Sequence, residues 1–151
     1  MNRRMVLYMV GTVIKIEAAL MLLPLITSLI YKESCAKDFL ISIGIALVAG
    51  FALTLIFKPG SKVIYAKEGF VIVSLAWLAL ALVGALPFYI SGEIPSFIDA
   101  FFETVSGFTT TGASILTDVE AMSKGLLFWR SFTHWIGGMG VFVFIMAILP
   151  M

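Results

Sequence analysis

Thr109, Thr110 and Thr111 stand in a row and are followed by Gly112, Ala113 and Ser114. β-branched side chains suit an extended backbone better than a helix, and a glycine opens backbone angles closed to other residues. An extended strand of this kind can turn successive carbonyl oxygens toward one axis, where they replace the hydration shell of a cation. The chemistry on offer is coordination rather than bond-making. A Thr-Thr-Gly triplet is a weak signal alone, so its meaning depends on the elements around it.

The stretch before it, residues 96–108, reads SFIDAFFETVSGF and predicts a helix. Such a helix is about 20 Å long at ~1.5 Å per residue, too short for a hydrocarbon core of about 30 Å. Ser96 with Asp99 three residues on is an S-x-x-D variant of the capping box, which also places negative charge at the positive end of the helix dipole. The opposite end then points inward, and the free carbonyls of residues 106–108 favour a cation there. Non-helical backbone at membrane depth is tolerated only where protein buries it or it lines a water-filled path. The pattern therefore predicts a re-entrant helix entering the membrane halfway.

Composition places this stretch in a bilayer. Hydrophobic residues make up 61% of the 151 and charged residues 13%, with a mean hydropathy of +1.09. Long apolar runs are separated by small charged clusters, as in an integral membrane protein. The net charge of +1 carries no information about partners. The single cysteine, Cys35, excludes an intrachain disulfide and a Cys-rich metal site. One histidine and one cysteine at unrelated positions offer no nucleophile and base, so an enzyme is not expected.

In chain order, the first span covers residues 5–31; it is too long and lacks the cleavage site of a signal peptide. Lys15 and Glu17 lie near its middle, where structural ion pairing with other helices is the expected use, and Pro24 predicts a kink. The second span, 39–57, carries Gly44 and Gly50, both read as helix-packing residues. The loop at 58–69 has three lysines and one glutamate. The positive-inside rule makes it cytoplasmic, with Arg3, Arg4 and the N-terminus on the same side. The third span covers 70–90.

Between residues 69 and 123 there is no lysine or arginine, while Glu93, Asp99, Glu103, Asp118 and Glu120 all fall there. These acids are expected around an external mouth, where they would concentrate cations. The last span, 124–151, carries Trp129 and Trp135 as candidate interfacial aromatics. Arg130 and His134 share one face, and Arg130 is expected to pair with Glu103 and brace the re-entrant helix. Gly137, Gly138 and Gly140 are read as a close-packing surface. The expected fold is an all-α integral membrane protein of four transmembrane helices, one re-entrant pore helix and an extended filter loop. Residues 1–68 form a helix pair and 69–151 one helix, pore helix, filter, helix repeat, with the filter at 109–114.

The run SFIDAFFETVSGFTTTGASIL, followed by FWRSFTHWIGGMGVFVFIMAILP, resembles the first pore repeat of the TrkH family. That family comprises the membrane subunits of Trk-type potassium uptake systems, in the superfamily that also holds the Ktr and plant high-affinity potassium transporters. The two preceding spans are similar to the extra N-terminal helix pair of the Trk branch. The resemblance implies that Thr110, Thr111, Gly112 and Ala113 supply filter carbonyls to K+, with Gly112 at the position associated with potassium selectivity. Thr109, Glu103 and Arg130 are then filter support, and Asp118 and Glu120 belong to the external mouth. It also implies potassium ion as substrate without a cofactor, the plasma (inner) membrane as location, a cytosolic nucleotide-binding regulatory subunit and a homodimer partner, but no nucleic acid. Four repeats surround one pore in that family, whereas this sequence holds one, and it reads as an N-terminal piece ahead of three further repeats. Two other readings stand beside this one: a homotetrameric cation channel of four identical chains, and a non-conducting membrane protein that docks on and regulates a partner.

Overall fold

The computed structural model describes residues 3–58, 60, 65–118 and 120–148, with backbone alone from 141 to 148. Asn2, the turn at Pro59, Lys62 of the basic loop and Pro150 lie outside the described residues. The chain is all-helical among those residues: α1 (Arg3–Leu20), α2 (Leu22–Ile30), α3 (Cys35–Ile56), α4 (Ala66–Gly84), α5 (Leu86–Ile90), α6 (Phe97–Phe108) and α7 (Lys124–Ile148). Among the described residues, three helical stretches are long and apolar enough to cross a membrane: Arg3–Ile30, Cys35–Ile56 and Ala66–Ile90.

Two of these stretches are interrupted near a proline. Pro24 has no N–H for the carbonyl of Leu20, and the first span divides at Met21 into α1 and α2. Pro87 does the same for the third span, which divides at Ala85 into α4 and α5. The second span is one uninterrupted helix and begins at Cys35, four residues before the apolar run, with Asp38 in its first turn where the helix dipole favours a carboxylate.

α1 packs on α3 through Gly11 and Gly50. A Cβ on either would lie 3.0 Å from the carbonyl oxygen of the other, so only hydrogen fits. Gly44 does not share this role. It stands six residues before Gly50, roughly 240° around the helix at 3.6 residues per turn. Nothing lies within 4 Å of a Cβ built there, and it opens outward beside Ile41, Ile45 and Val48.

The expected ion pairing of Lys15 and Glu17 is absent among the described residues. The two are offset by about 200° on α1, at 3.6 residues per turn, and no opposite charge meets either. Lys15 Nζ instead lies 4.9 Å from the centroid of the Phe51 ring on α3. Glu17 is 1% exposed, and neither carboxylate oxygen has a hydrogen-bond partner. It sits where α4 comes closest, since a Cβ on Gly84 would lie 2.9 Å from Glu17 Oε1 and 2.9 Å from Thr104 Cγ2 of α6.

α6 is the short helix and packs its buried face, Ala100, Glu103, Thr104, Ser106, Gly107 and Phe108, against α4 and α7. Ser96 has the extended backbone of an N-cap (φ −92°, ψ 127°), and its carbonyl accepts from Ala100 N at 3.0 Å. Its hydroxyl makes no capping bond, contrary to the capping-box expectation. Ser96 and Asp99 are both exposed, where first-turn N–H groups need no protein partner. Trp129 also departs from expectation. Rather than lying at an interface it is fully buried, its indole Nε1 donating to the carbonyl of Gly84 at 2.9 Å, whereas Trp135 is exposed. One indole thereby ties α7 to the end of α4.

Candidate functional site

α6 ends in a Schellman turn built from threonines. Thr110 N donates to Gly107 O at 3.0 Å, and Thr111 N donates to Ser106 O at 2.9 Å. This satisfies two carbonyls that the end of a helix otherwise leaves orphaned. Thr110 must adopt the left-handed conformation to do so, at φ +56°, a position usually held by glycine. For a β-branched residue that conformation is an outlier costing about 1–3 kcal/mol. Hydroxyls brace it: Thr109 Oγ1 donates to Val105 O, Thr110 Oγ1 donates to Thr109 O, and Thr109 Oγ1 meets Thr111 Oγ1, each at 2.7 Å.

Two expectations change here. Thr109 and Thr110 continue the helix into its turn, so the segment free of regular structure begins at Thr111 rather than at Thr109. The carbonyls of residues 106 and 107, expected to stand free, are taken by the turn. Gly112 then has φ +81°, left-handed again, with open space where a Cβ would be. Thr109 through Ala113 are all exposed on this chain.

The segment is held from behind by α6. Ser106 Oγ donates to Ala113 O at 2.5 Å, leaving that carbonyl one further lone pair. The carboxylate of Glu103 takes Ser114 Oγ at 3.0 Å on both oxygens and Ile115 N at 3.1 Å on Oε2. Arg130 of α7 reaches the same group, Nε to Oε1 at 2.7 Å, with the Glu103 side chain 1% exposed and that of Arg130 18%. The pair expected from the sequence is therefore in place. Sequence reasoning missed Ser106, Ser114 and the Ile115 amide, because the turn breaks the helical spacing that would have linked them.

Glu103 thus has two duties, and this fixes what mutation should do. Arg130→Met leaves a buried carboxylate without its cation, and losses of this kind cost about 3–5 kcal/mol. Exchanging the charges, Arg130→Glu with Glu103→Arg, should recover only part of that loss. An arginine at 103 cannot accept from Ser114 or Ile115. Thermal unfolding of the single and double variants in detergent checks this; complete recovery would show that the Ser114 and Ile115 contacts carry no weight.

α7 approaches α6 at glycines. A Cβ on Gly107 would collide with Thr133, and a Cβ on Gly137 would lie 2.6 Å from the carbonyl carbon of Phe108. A Cβ on Gly140 would lie 3.3 Å from the ring of Trp77, while Gly138 faces open space. Of the expected glycine surface, residues 137 and 140 pack and 138 does not. His134, in reach of Gly107, turns its Nδ1 back to the carbonyl of Arg130 at 2.9 Å. That carbonyl also accepts from Thr133 Oγ1 at 2.6 Å.

Comparison with known proteins bears on the family and the fold. The sequence family TrkH, described as a cation transport protein, matches residues 36–151. The chain belongs to the TrkH family. It is 38% identical over 152 residues to the Trk system potassium uptake protein TrkH of Escherichia coli K12, covering 99% of this chain and 31% of that protein. An uncharacterized cation transporter of Methanocaldococcus jannaschii is 38% identical over 144 residues, covering 95% of this chain and 30% of its own length. The crystal structure of the potassium transporter TrkH from Vibrio parahaemolyticus superposes on the whole chain with a TM-score of 0.93 at 34% identity, covering 32% of that structure. The chain therefore spans about a third of the length of these relatives.

Among the acids expected at an external mouth, the TrkH-family chain separates two groups. Glu103 is buried in the brace, and Glu93 accepts from Ser123 N at 2.9 Å and Ser123 Oγ at 3.1 Å. Asp99, Asp118 and Glu120 are exposed, as is Glu93 despite its contacts with Ser123. Among the described residues no cluster of three or more His, Cys, Asp or Glu could hold a metal ion through side chains.

Proposed function

We propose that this chain lines part of a potassium uptake pathway, with Thr110, Thr111, Gly112 and Ala113 offering backbone carbonyls to dehydrated K+. The observation that carries the reading is the segment after α6. It begins at a helix C-terminus, whose dipole favours a cation, and it is left-handed at Thr110 and Gly112. It is exposed in front and pinned behind by Ser106 and Glu103. Carbonyls held in place without side-chain ligands are what exchange for a hydration shell requires. The relatives' designation as potassium uptake proteins favours K+ as the ion.

Thr109, Glu103 and Arg130 serve as support, and Asp118 and Glu120 stand at the external mouth. α7, 25 residues long, completes a set of four spans after the three already described. Lys58 and Lys67, with Arg3 and Arg4, favour a cytoplasmic side for the N-terminus and the α3–α4 loop, and the family resemblance favours the inner membrane as location. One strand cannot enclose an ion. Three others come from further repeats of the same polypeptide, and the family resemblance adds a second copy and a cytosolic nucleotide-binding subunit as partners.

Flux into lipid vesicles tests the reading. The chain reconstituted alone is expected to pass no K+, and the four-repeat assembly containing it is expected to pass K+ in preference to Na+. Equal flux of both ions through the assembly would contradict the filter assignment, and K+ flux from the chain alone would replace the repeat arrangement with a homotetramer. Neutralising Asp118 and Glu120 together should lower uptake severalfold at low ionic strength. The effect should fade at physiological salt, where exposed charges are screened over about 8 Å. An uptake ratio independent of salt would remove these two from the mouth.

A further inference from the structure

The N-terminal helix pair is linked to the 110–115 segment by two sets of polar contacts joined through the first turns of α7. Glu33, in the turn between α2 and α3, accepts Lys124 N at 2.9 Å on Oε2 and Gly125 N at 3.1 Å on Oε1. These are first-turn N–H groups of α7, which have no partner within their own helix, and a carboxylate there also meets the positive end of the helix dipole. The seat beneath is tight. A Cβ on Gly125 would overlap Ser28 Oγ and lie 3.2 Å from Cys35 Sγ. Glu93 holds the preceding residue, Ser123, from the other side. The start of α7 is thus fixed against α2 and α3.

Arg130 stands five residues past Gly125, about 7.5 Å further along the helix at ~1.5 Å per residue. Its Nε contact with Glu103, and the contacts of Glu103 with Ser114 Oγ and Ile115 N, complete the route. We propose that Glu33 is a positioning residue for the 110–115 segment, acting through the register of α7 and the Arg130–Glu103 pair. The importance of this for ion coordination rests on the filter reading above; the control of Glu33 over Ile115 does not.

Hydrogen exchange of the full chain in lipid nanodiscs tests the proposal without reference to conduction. In Glu33→Ala the amides of Lys124 and Gly125 should exchange at least about tenfold faster, the equivalent of losing a hydrogen bond to a charged group. The amide of Ile115 should accelerate at least threefold, and with Arg130→Met already present Glu33→Ala should add nothing at Ile115. An unchanged Ile115 amide beside an accelerated first turn of α7 would overturn the proposal. So would an Ile115 effect that persists in the Arg130→Met background. Glu33→Gln keeps one acceptor oxygen and should give smaller changes of the same kind; if the alanine variant does not fold, the same two criteria apply to glutamine. A failure of the filter reading would leave these exchange rates as expected, so the two outcomes are separable.

Discussion

Gly137→Ala should disrupt the contact between α7 and α6 and lower the stability of the chain. The added Cβ would lie 2.6 Å from the carbonyl carbon of Phe108 and 2.9 Å from its Cα. Main chain cannot move aside as the tip of a flexible side chain can, and Phe108 is the last residue of α6. Overpacking of well-filled sites costs about 1–3 kcal/mol and more where the neighbour is rigid. The relief would have to come from shifting α6, which carries Ser106 and Glu103 and therefore the segment that they pin. Gly138→Ala is the internal control. Nothing lies within 4 Å of its Cβ, and alanine gains about 1 kcal/mol over glycine in a helix interior. Thermal unfolding in detergent should therefore move in opposite directions for two adjacent, chemically identical substitutions. Equal behaviour would show that α7 does not approach α6 at Gly137.

The second large effect is on selectivity. Gly112→Ser in the assembled transporter should lower the preference for K+ over Na+ by roughly tenfold. Gly112 has φ +81°, and an L side chain in a left-handed conformation costs about 1–2 kcal/mol. Among the described residues nothing lies within 4 Å of a Cβ there, so the substitution acts first on the backbone of the segment itself. Relief of that strain rotates the Gly112 carbonyl, and a coordinating site that must match one ion's size tolerates little rotation. Relative uptake of Rb+ and Na+ measures it. An unchanged ratio would move the selective position elsewhere.

How much of this was legible in the sequence depends on the range of each interaction. The half-length of α6 follows from a helical pattern of about 12 residues bounded by Ser96 and the threonine run, and the break at Met21 follows from Pro24. The Arg130–Glu103 pair was readable because the bilayer leaves a buried carboxylate few alternatives. The turn at Thr110 was not. β-branching argues for extended backbone, yet the need to satisfy the carbonyls of Ser106 and Gly107 prevailed and forced φ +56°. Gly44 and Gly50 carry the same local signal in the same helix, and only their angular positions relative to α1 separate packing from exposure. Trp129 had the residue type of an interfacial anchor, but the carbonyl of Gly84 gave its indole a buried partner. Glu33 is the extreme case, since its contacts with Lys124 and Gly125 span more than 90 residues and no periodicity connects them.

The central claim, that the backbone of residues 110–113 coordinates a monovalent cation, is tested most directly by locating one. Thallium(I) is close to K+ in size and gives a strong anomalous signal. In the assembled transporter soaked with it, anomalous density is expected within about 3 Å of the carbonyl oxygens of this segment, consistent with direct carbonyl coordination. The density should weaken in Gly112→Ser. Thallium bound elsewhere along the pathway, with none at residues 110–113, would contradict it.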